Sequence, residues 1–271
     1  MSDTRSRLVA TGEGRIAYSV EGSGPLLVLS PGMGDLRSSY RFQVPALVAA
    51  GYRVASVDLR GHGESDTTFV TYGDEPTSRD LAAVITELGG PAVVVGNSMS
   101  AGAAVIAAAR HPELVSGLVL IGPFVRDPEV SALQRLAMSV LMSKPLVVSS
   151  WRSYVAKLFA GRKPPDFDAY RRSVTSALAR PGYREAFVET LKTSHRRAEE
   201  ALVKVSVPAL VIMGARDPDF ATPEHEAHWI ARQLGARVEM IADAGHYPHS
   251  QQPDVVNALL TDFAAEVTHN G

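Results

Sequence analysis

Residues 92–109 read AVVVGNSMSAGAAVIAAA, and this stretch decides the fold. An unbroken apolar run ends at Val95, and a row of small residues begins only a few positions later. The first half is typical of a strand that is buried on both faces, and the second half fits a helix. A strand, a sharp turn and a helix in succession can hold a nucleophile at the tip of the turn. We therefore interpret Ser98 as a candidate nucleophile.

Two serines compete for this role. Gly96 stands two residues before Ser98, and Ser100 stands two residues after it, where glycine is the usual residue. Both positions must be small because the strand and the helix nearly touch there. A looser form of the pattern would make Ser100 the nucleophile, but the strand register favours Ser98 and leaves Ser100 inside the helix. Taken alone, the pattern also fits an ordinary strand–helix turn with a capping serine.

Two later strand ends carry the partners that a serine hydroxyl needs. Asp217 follows the apolar run at 208–214, and His246 follows the run at 237–241. A neutral histidine can take the proton of the serine, and an aspartate can fix the histidine tautomer. We expect a Ser98–His246–Asp217 triad, with Asp219 as a weaker alternative acid. The alternative base, His249, is interpreted as a surface residue.

Backbone N–H groups near Ser98 are expected to stabilise a developing oxyanion. One is the N–H of Met99, directly after the nucleophile. The other candidate is Met33, in the loop PGMGD at 31–35 that follows the apolar run LLVLS. Glycines at 32 and 34 would let this loop turn an N–H inward.

Elsewhere the sequence alternates apolar runs with helical patterns. This alternation predicts an α/β fold with a mostly parallel sheet flanked by helices. The stretch that begins at Arg15 alternates in side-chain character, as a half-buried strand does. The apolar runs that indicate further strands begin at Leu26, Tyr52, Ala92, Gly117, Pro208 and Arg237. The helical patterns cover 40–50, 78–88, 98–110, 224–234 and 253–267.

The segment 124–204 breaks this alternation. It has helical patterning throughout, and its 15 Lys/Arg and 8 Asp/Glu residues give a net charge of +7. We expect a helical cap at 124–204, inserted in a core domain formed by 1–123 and 205–271. A cap above the carboxyl ends of the strands would lie where open α/β sheets bind ligands.

Composition excludes several classes of function. The chain has 271 residues, a net charge of −2 and no cysteine, so disulfides, a thiol nucleophile and cysteine metal sites are excluded. Neither a nucleic-acid partner nor a membrane partner is indicated, and the first residues lack the apolar core of a secretory signal. We expect a cytoplasmic protein that acts on a small molecule without a cofactor or a metal. The sequence leaves open whether it is a monomer or a homo-oligomer.

The quoted motifs, together with GYRVASVDLRGHGESD at 51–66 and AGHYPHSQQPDVVNALLTDF at 244–263, resemble those of α/β-hydrolase fold serine hydrolases. The resemblance covers most of 15–265 outside the helical segment. It implies an eight-stranded sheet with a helical cap, in the branch of esterases and carbon–carbon bond hydrolases. Pro31, where many members have histidine, and Ser100 depart from the family pattern.

The expected reaction is hydrolysis of an ester, a lactone or an activated ketone through an acyl-enzyme on Ser98. One alternative is an acyltransferase or perhydrolase that uses the same triad. Another is a slow hydrolase-like receptor that has kept the pocket.

Overall fold

The apolar runs of the sequence lie side by side in one eight-stranded sheet. The structure, a computed structural model, describes residues 6–128 and 132–269. The strands are β1 (Arg7–Ala10), β2 (Arg15–Glu21), β3 (Leu26–Ser30), β4 (Arg53–Val57), β5 (Ala92–Asn97), β6 (Val115–Ile121), β7 (Ala209–Gly214) and β8 (Arg237–Ile241). Their order is β1-β2-β4-β3-β5-β6-β7-β8. Only β2 runs in the opposite direction to the other seven strands, so the mostly parallel sheet is confirmed.

Strand β1 has no counterpart among the runs identified in the sequence. Val9 is its one buried residue, and the strand pairs with β2 at the edge of the sheet. An edge strand that buries one side chain has no continuous apolar run, so its position comes from the pairing and not from its own pattern.

Helices cover both faces of the sheet. They are α1 (Gln43–Ala49), α2 (Asp74–Glu87), α3 (Met99–Arg110), α4 (Ala132–Leu141), α5 (Val147–Leu158), α6 (Phe167–Leu178), α7 (Tyr183–Thr190), α8 (Arg196–Leu202), α9 (Pro223–Leu234), α10 (Pro248–Gln251) and α11 (Pro253–His269). Helix α2 begins four residues before the helical pattern at 78–88, because Pro76 is tolerated in a first turn. Tyr40 ends a short 3₁₀ turn instead of opening α1.

The two faces of the sheet bury separate cores. Leu27 and Val28 are adjacent on β3, are fully buried, and belong to opposite cores. Helices α1 and α11 cover the face of Leu27, and helices α2, α3 and α9 cover the face of Val28. This double burial explains why the parallel strands are apolar at nearly every position.

Between β6 and β7 the described chain is helical, and we call α4 to α8 the helical segment. Its aromatic side chains form a core of their own, which also takes in Tyr247. Helix α8 differs, since it packs on α3 and buries Ala198 and Leu202 in the core beneath it. The division into a cap at 124–204 and a core domain stays a prediction. In the described ranges, no helix has the length and apolarity needed to cross a membrane.

A buried ion pair joins the loop after β4 to α2. Arg60 donates two hydrogen bonds of 2.7 Å to Asp80, and both side chains are almost fully buried. We expect Asp80→Ala to lower the free energy of unfolding by about 3 kcal/mol, because the buried guanidinium loses this partner but keeps Glu13 at 3.2 Å. Urea titration followed by circular dichroism measures the loss.

The matched control removes a carboxylate from the exposed pair Arg237–Glu266. Glu266→Ala should cost at most about 1 kcal/mol. Equal losses in the two variants would contradict the role assigned to burial.

Candidate active site

Ser98 lies at the junction of β5 and α3 in a strained backbone conformation. Its φ is 58° and its ψ is −124°, values that a non-glycine residue rarely adopts. The surroundings hold it there: its N–H donates to Ile121 O at 2.9 Å, and its carbonyl accepts from Ala101 and Phe124. The end of β6 and the residues just after it thus hold Ser98 in this conformation.

The strand and the helix approach each other closely at this junction. A Cβ added to Gly96 would lie 2.5 Å from Ser100 O, so only glycine fits at position 96. Ser100 lies inside α3 and is fully buried. Its hydroxyl donates to Pro31 O at 2.6 Å and lies 2.9 Å from Ser30 Oγ. The Ser100 hydroxyl therefore ties α3 to the start of the loop after β3.

His246 and Asp217 are brought together as a buried pair. Nδ1 of His246 lies 2.7 Å from Oδ2 of Asp217, and the backbone N–H of His246 donates to Leu158 O. Burial by itself lowers the pKa of His246, but the carboxylate of Asp217, helped by those of Asp219 and Asp35, raises that pKa to about 9. The imidazole thus has a carboxylate behind it, with Nε2 left to face other groups.

The alternative acid, Asp219, and the alternative base, His249, lie in different surroundings. Asp219 is near the pair, with Oδ2 3.8 Å from Nδ1 of His246. His249 is fully buried, so its interpretation as a surface residue is wrong. It stacks on Tyr40 and lies 2.9 Å from Ser39 Oγ, and burial lowers its pKa to about 3. The short helix α10 turns this ring inward, which the loop sequence did not reveal.

Ser98 and His246 border the same segment of chain after β6. Asn97 donates its side-chain N–H to both Ile121 O and His246 O, at 3.0 and 3.2 Å. A Cβ on Gly122 would lie 3.1 Å from Nδ1 of His246. Within the described ranges, no hydrogen bond joins the Ser98 hydroxyl to the His246 ring. Catalytic hydrogen bonds are often long until a substrate is bound.

The loop after β3 lies against Ser98. A Cβ on Gly32 would lie 2.9 Å from Ser98 Cβ, and Gly34 has a φ of 71° that favours glycine. Among the residues that the structure describes, the N–H groups of Met33 and Met99 have no hydrogen-bond acceptor. The loop thus brings Met33 close to the junction where Met99 opens α3.

His62, in the turn after β4, braces this loop. Its Nε2 accepts the Gly34 N–H at 2.9 Å, and its Nδ1 lies 2.9 Å from Arg60 O. Burial lowers the pKa of His62 to about 4, so the ring is neutral near pH 7. A neutral ring can donate from Nδ1 and accept at Nε2 at the same time.

Helix α5 also reaches both loops of the site. The Trp151 ring N–H donates to Gly34 O at 2.9 Å, and the Tyr154 hydroxyl donates to Asp219 Oδ1. The sequence pattern did not indicate either hydrogen bond. Their hydrogen bonds depend on how the helical segment lies on the sheet, and nothing in the local pattern encodes that.

In the described part of the chain, one group of side chains could hold a metal ion: Asp217, Asp219 and His246, with ligand atoms within 4.8 Å of one another. Nδ1 of His246 and Oδ2 of Asp217 point at each other at hydrogen-bond distance. A shared ion would need both atoms turned toward it instead. The arrangement fits a shared proton better than a metal.

A strained serine follows a central parallel strand, and a buried Asp–His pair borders the segment after the next strand. This is the arrangement found in α/β hydrolases. The chain belongs to the alpha/beta hydrolase family, whose profile matches residues 27–259.

Known proteins of this fold include several hydrolases. A pimeloyl-[acyl-carrier protein] methyl ester esterase of Neisseria meningitidis (serogroup B / serotype 15, strain H44/76) is 30% identical over 86% of this chain and 90% of its own length. A 2-hydroxy-6-oxononadienedioate/2-hydroxy-6-oxononatrienedioate hydrolase of Cupriavidus pinatubonensis is 29% identical, over 83% of this chain and 81% of its own. A thermophilic esterase from Thermogutta terrifontis shares the fold, with a TM-score of 0.82 over 97% of this chain and 99% of its own at 23% identity.

The depressed pKa of His62 makes stability depend on pH. Unfolded histidine has a pKa near 6.5, so the unfolded chain takes up a proton first as the pH falls. We expect the free energy of unfolding to fall between about pH 6.5 and 4, with His62 contributing up to about 3 kcal/mol of the loss. His62→Gln, which does not titrate, should lose less over this range in urea titrations at each pH. Identical pH profiles would contradict this assignment.

Proposed function

We propose that the protein is a serine hydrolase that cleaves an ester, a lactone or an activated carbon–carbon bond of a small, largely apolar substrate. The observation that carries the proposal is the strained Ser98 beside the segment that also contacts the buried His246–Asp217 pair. The similarity to an esterase and to a hydrolase of carbon–carbon bonds supports both kinds of bond.

In the proposed mechanism, Ser98 attacks the carbonyl carbon while Nε2 of His246 takes the hydroxyl proton. Asp217 holds Nδ1–H and stabilises the imidazolium that forms. His246 then gives the proton to the leaving group, which leaves an acyl group on Ser98. Water activated by the same ring completes the hydrolysis. These reaction steps need no cofactor and no metal, because each proton moves between the groups already named.

The proposed oxyanion hole consists of the N–H groups of Met33 and Met99. Neither has an acceptor among the described residues, whereas the neighbouring N–H of Gly34 is taken by His62. A donor without a partner beside the nucleophile can bind the oxygen on which charge develops. His62 and Trp151 would hold the loop so that Met33 presents its N–H.

We propose that the helical segment acts as the cap of the site and supplies apolar contacts to the substrate. Phe124 lies at the entry to this segment, and its ring packs near both His246 and Phe220. Most other aromatic side chains of the segment, such as Trp151 and Phe159, are buried in its own core. Phe124 is therefore the first residue we assign to the substrate pocket.

Labelling with a fluorophosphonate probe tests the nucleophile. We expect the wild-type protein and Ser100→Ala to be labelled at Ser98, and Ser98→Ala to remain unlabelled. Hydrolysis of p-nitrophenyl esters by Ser98→Ala should fall by roughly 10⁴-fold to 10⁶-fold, because the rest of the site keeps only binding and oxyanion stabilisation. Peptide mapping identifies the labelled serine.

Ser100→Ala is the matched control, because its buried hydroxyl serves Pro31 and Ser30. Labelling that persists in Ser98→Ala and is lost in Ser100→Ala would overturn the assignment. Product analysis with methanol present separates hydrolysis from acyl transfer.

The pKa of His246 predicts how activity depends on pH. Only the neutral ring can accept the Ser98 proton, and the nearby carboxylates, Asp217 foremost, raise the pKa of His246 to about 9. We expect kcat/KM for a neutral ester to rise about tenfold per pH unit from pH 6 and to level off near pH 9. Initial rates at low substrate concentration measure it. A profile that is flat from pH 6 to 9 would contradict the prediction.

A further inference from the structure

A second carboxylate lies beside the His246 ring. Oδ2 of Asp219 is 3.8 Å from Nδ1, and the Asp219 N–H donates to Oδ1 of Asp217 at 3.0 Å. The two acids therefore sit on one turn after β7, both against the same nitrogen. At 3.8 Å, Asp219 does not hydrogen-bond to His246, but a negative charge at that distance favours the protonated ring.

Asp219 owes its orientation to the helical segment. The Tyr154 hydroxyl of α5 donates to Oδ1, which leaves Oδ2 on the side of His246. Burial raises the pKa of Asp219, whereas His246 and the Tyr154 hydrogen bond act against that rise. Tyr154 thus favours the ionised form of Asp219 and keeps it from turning onto Nδ1.

The same helix holds the loop after β3. Trp151 lies one turn before Tyr154, its ring N–H donates to Gly34 O at 2.9 Å, and the two rings are 5.7 Å apart. One face of α5 therefore carries two hydrogen-bond donors. One serves the loop of the proposed oxyanion hole, and the other serves the loop of the proposed acid.

We propose that Tyr154 and Asp219 are positioning residues for His246, and that α5 couples the placement of the helical segment to the geometry of both catalytic loops. This inference rests on the proposed function. It adds a way in which movement of the helical segment changes the base and the oxyanion hole together.

Other charged or titratable groups also face His246 and set the background for a test. Asp217 and Asp219 come from the loop after β7, Asp35 from the loop after β3, and His249 from α10. Tyr247 is the adjacent residue, and Lys157 of α5 acts on Asp219. Asp35 also accepts a hydrogen bond from the helical segment, from Tyr170 of α6. The test must therefore change Asp219 alone and leave the other groups in place.

The test is an NMR titration of the histidine rings in ¹⁵N-labelled protein, with His246 identified by His246→Gln. We expect Asp219→Asn to lower the pKa of His246 by about one unit or more. Tyr154→Phe should lower it by less, because Asp219 keeps its carboxyl but is protonated more readily. Trp151→Phe should leave that pKa unchanged and lower kcat for ester hydrolysis, with KM affected less.

Two variants are matched controls. Asp243→Asn removes an exposed carboxylate from the loop that leads to His246, where it pairs with Arg216. Tyr183→Phe removes another tyrosine hydroxyl of the helical segment, which donates to Ser65 O at 3.5 Å. Neither should move the pKa of His246.

A pKa of His246 that is the same in Asp219→Asn, Tyr154→Phe and the wild-type protein would overturn the inference. The titration does not need turnover, so it gives an answer even if Ser98 proves not to be the nucleophile. If the wild-type protein hydrolyses esters but the pKa of His246 is the same in Asp219→Asn, this inference is refuted and the proposed function stands. Should Asp219→Asn fail to fold, Tyr154→Phe gives the same test with its buried ring retained.

Discussion

The close contact between β5 and α3 is the constraint on which the other features depend. The chain leaves a fully buried strand and enters a helix without a connecting loop, and position 96 has no room for a side chain. The positive φ of Ser98 follows from this sharp reversal. Strain of this kind persists only where the surroundings over-determine the conformation. Here, hydrogen bonds to Ile121 at the end of β6, to Phe124 just beyond it and to Ala101 of α3 supply that restraint.

The parallel sheet makes this arrangement possible. Its parallel strands all end at the same edge, so loops that are far apart in sequence meet there. The loop after β3 touches Ser98 through Gly32, the loop after β7 brings Asp217, and the loop after β8 brings His246. Polar side chains then join the loops to one another, as Asn97 does between the ends of β5 and β6 and the His246 loop.

Much of the fold could be predicted from the sequence because the strands are buried on both faces. Double burial leaves nearly continuous apolar runs in the five central strands β3 to β7. Strand β2 has an alternating pattern, and β8 is mostly half-buried. Strand β1 has no apolar run, since it buries a single side chain at the edge. The contact between His246 and Asp217 was also predictable, because each follows a strand of its own at the common edge.

Contacts across the helical segment could not be predicted in this way. Tyr154 and Trp151 meet their partners only because α5 lies against the loops after β3 and β7, and no sequence period indicates that placement. The burial of His249 is similar. Its ring stacks on Tyr40 and lies at hydrogen-bond distance from Ser39, which is 210 residues earlier in the chain. Local patterns carry no information about such distant contacts.

Two buried histidines beside the site, His62 and His249, limit where a proton can go. The pKa values of His62 and His249, about 4 and about 3, lie far below the value of about 9 for His246. Across the whole neutral range these two rings stay uncharged and keep their hydrogen bonds to the surrounding loops. A proton that Ser98 gives to His246 therefore does not pass on to His62 or His249, because neither ring takes up a proton in this range.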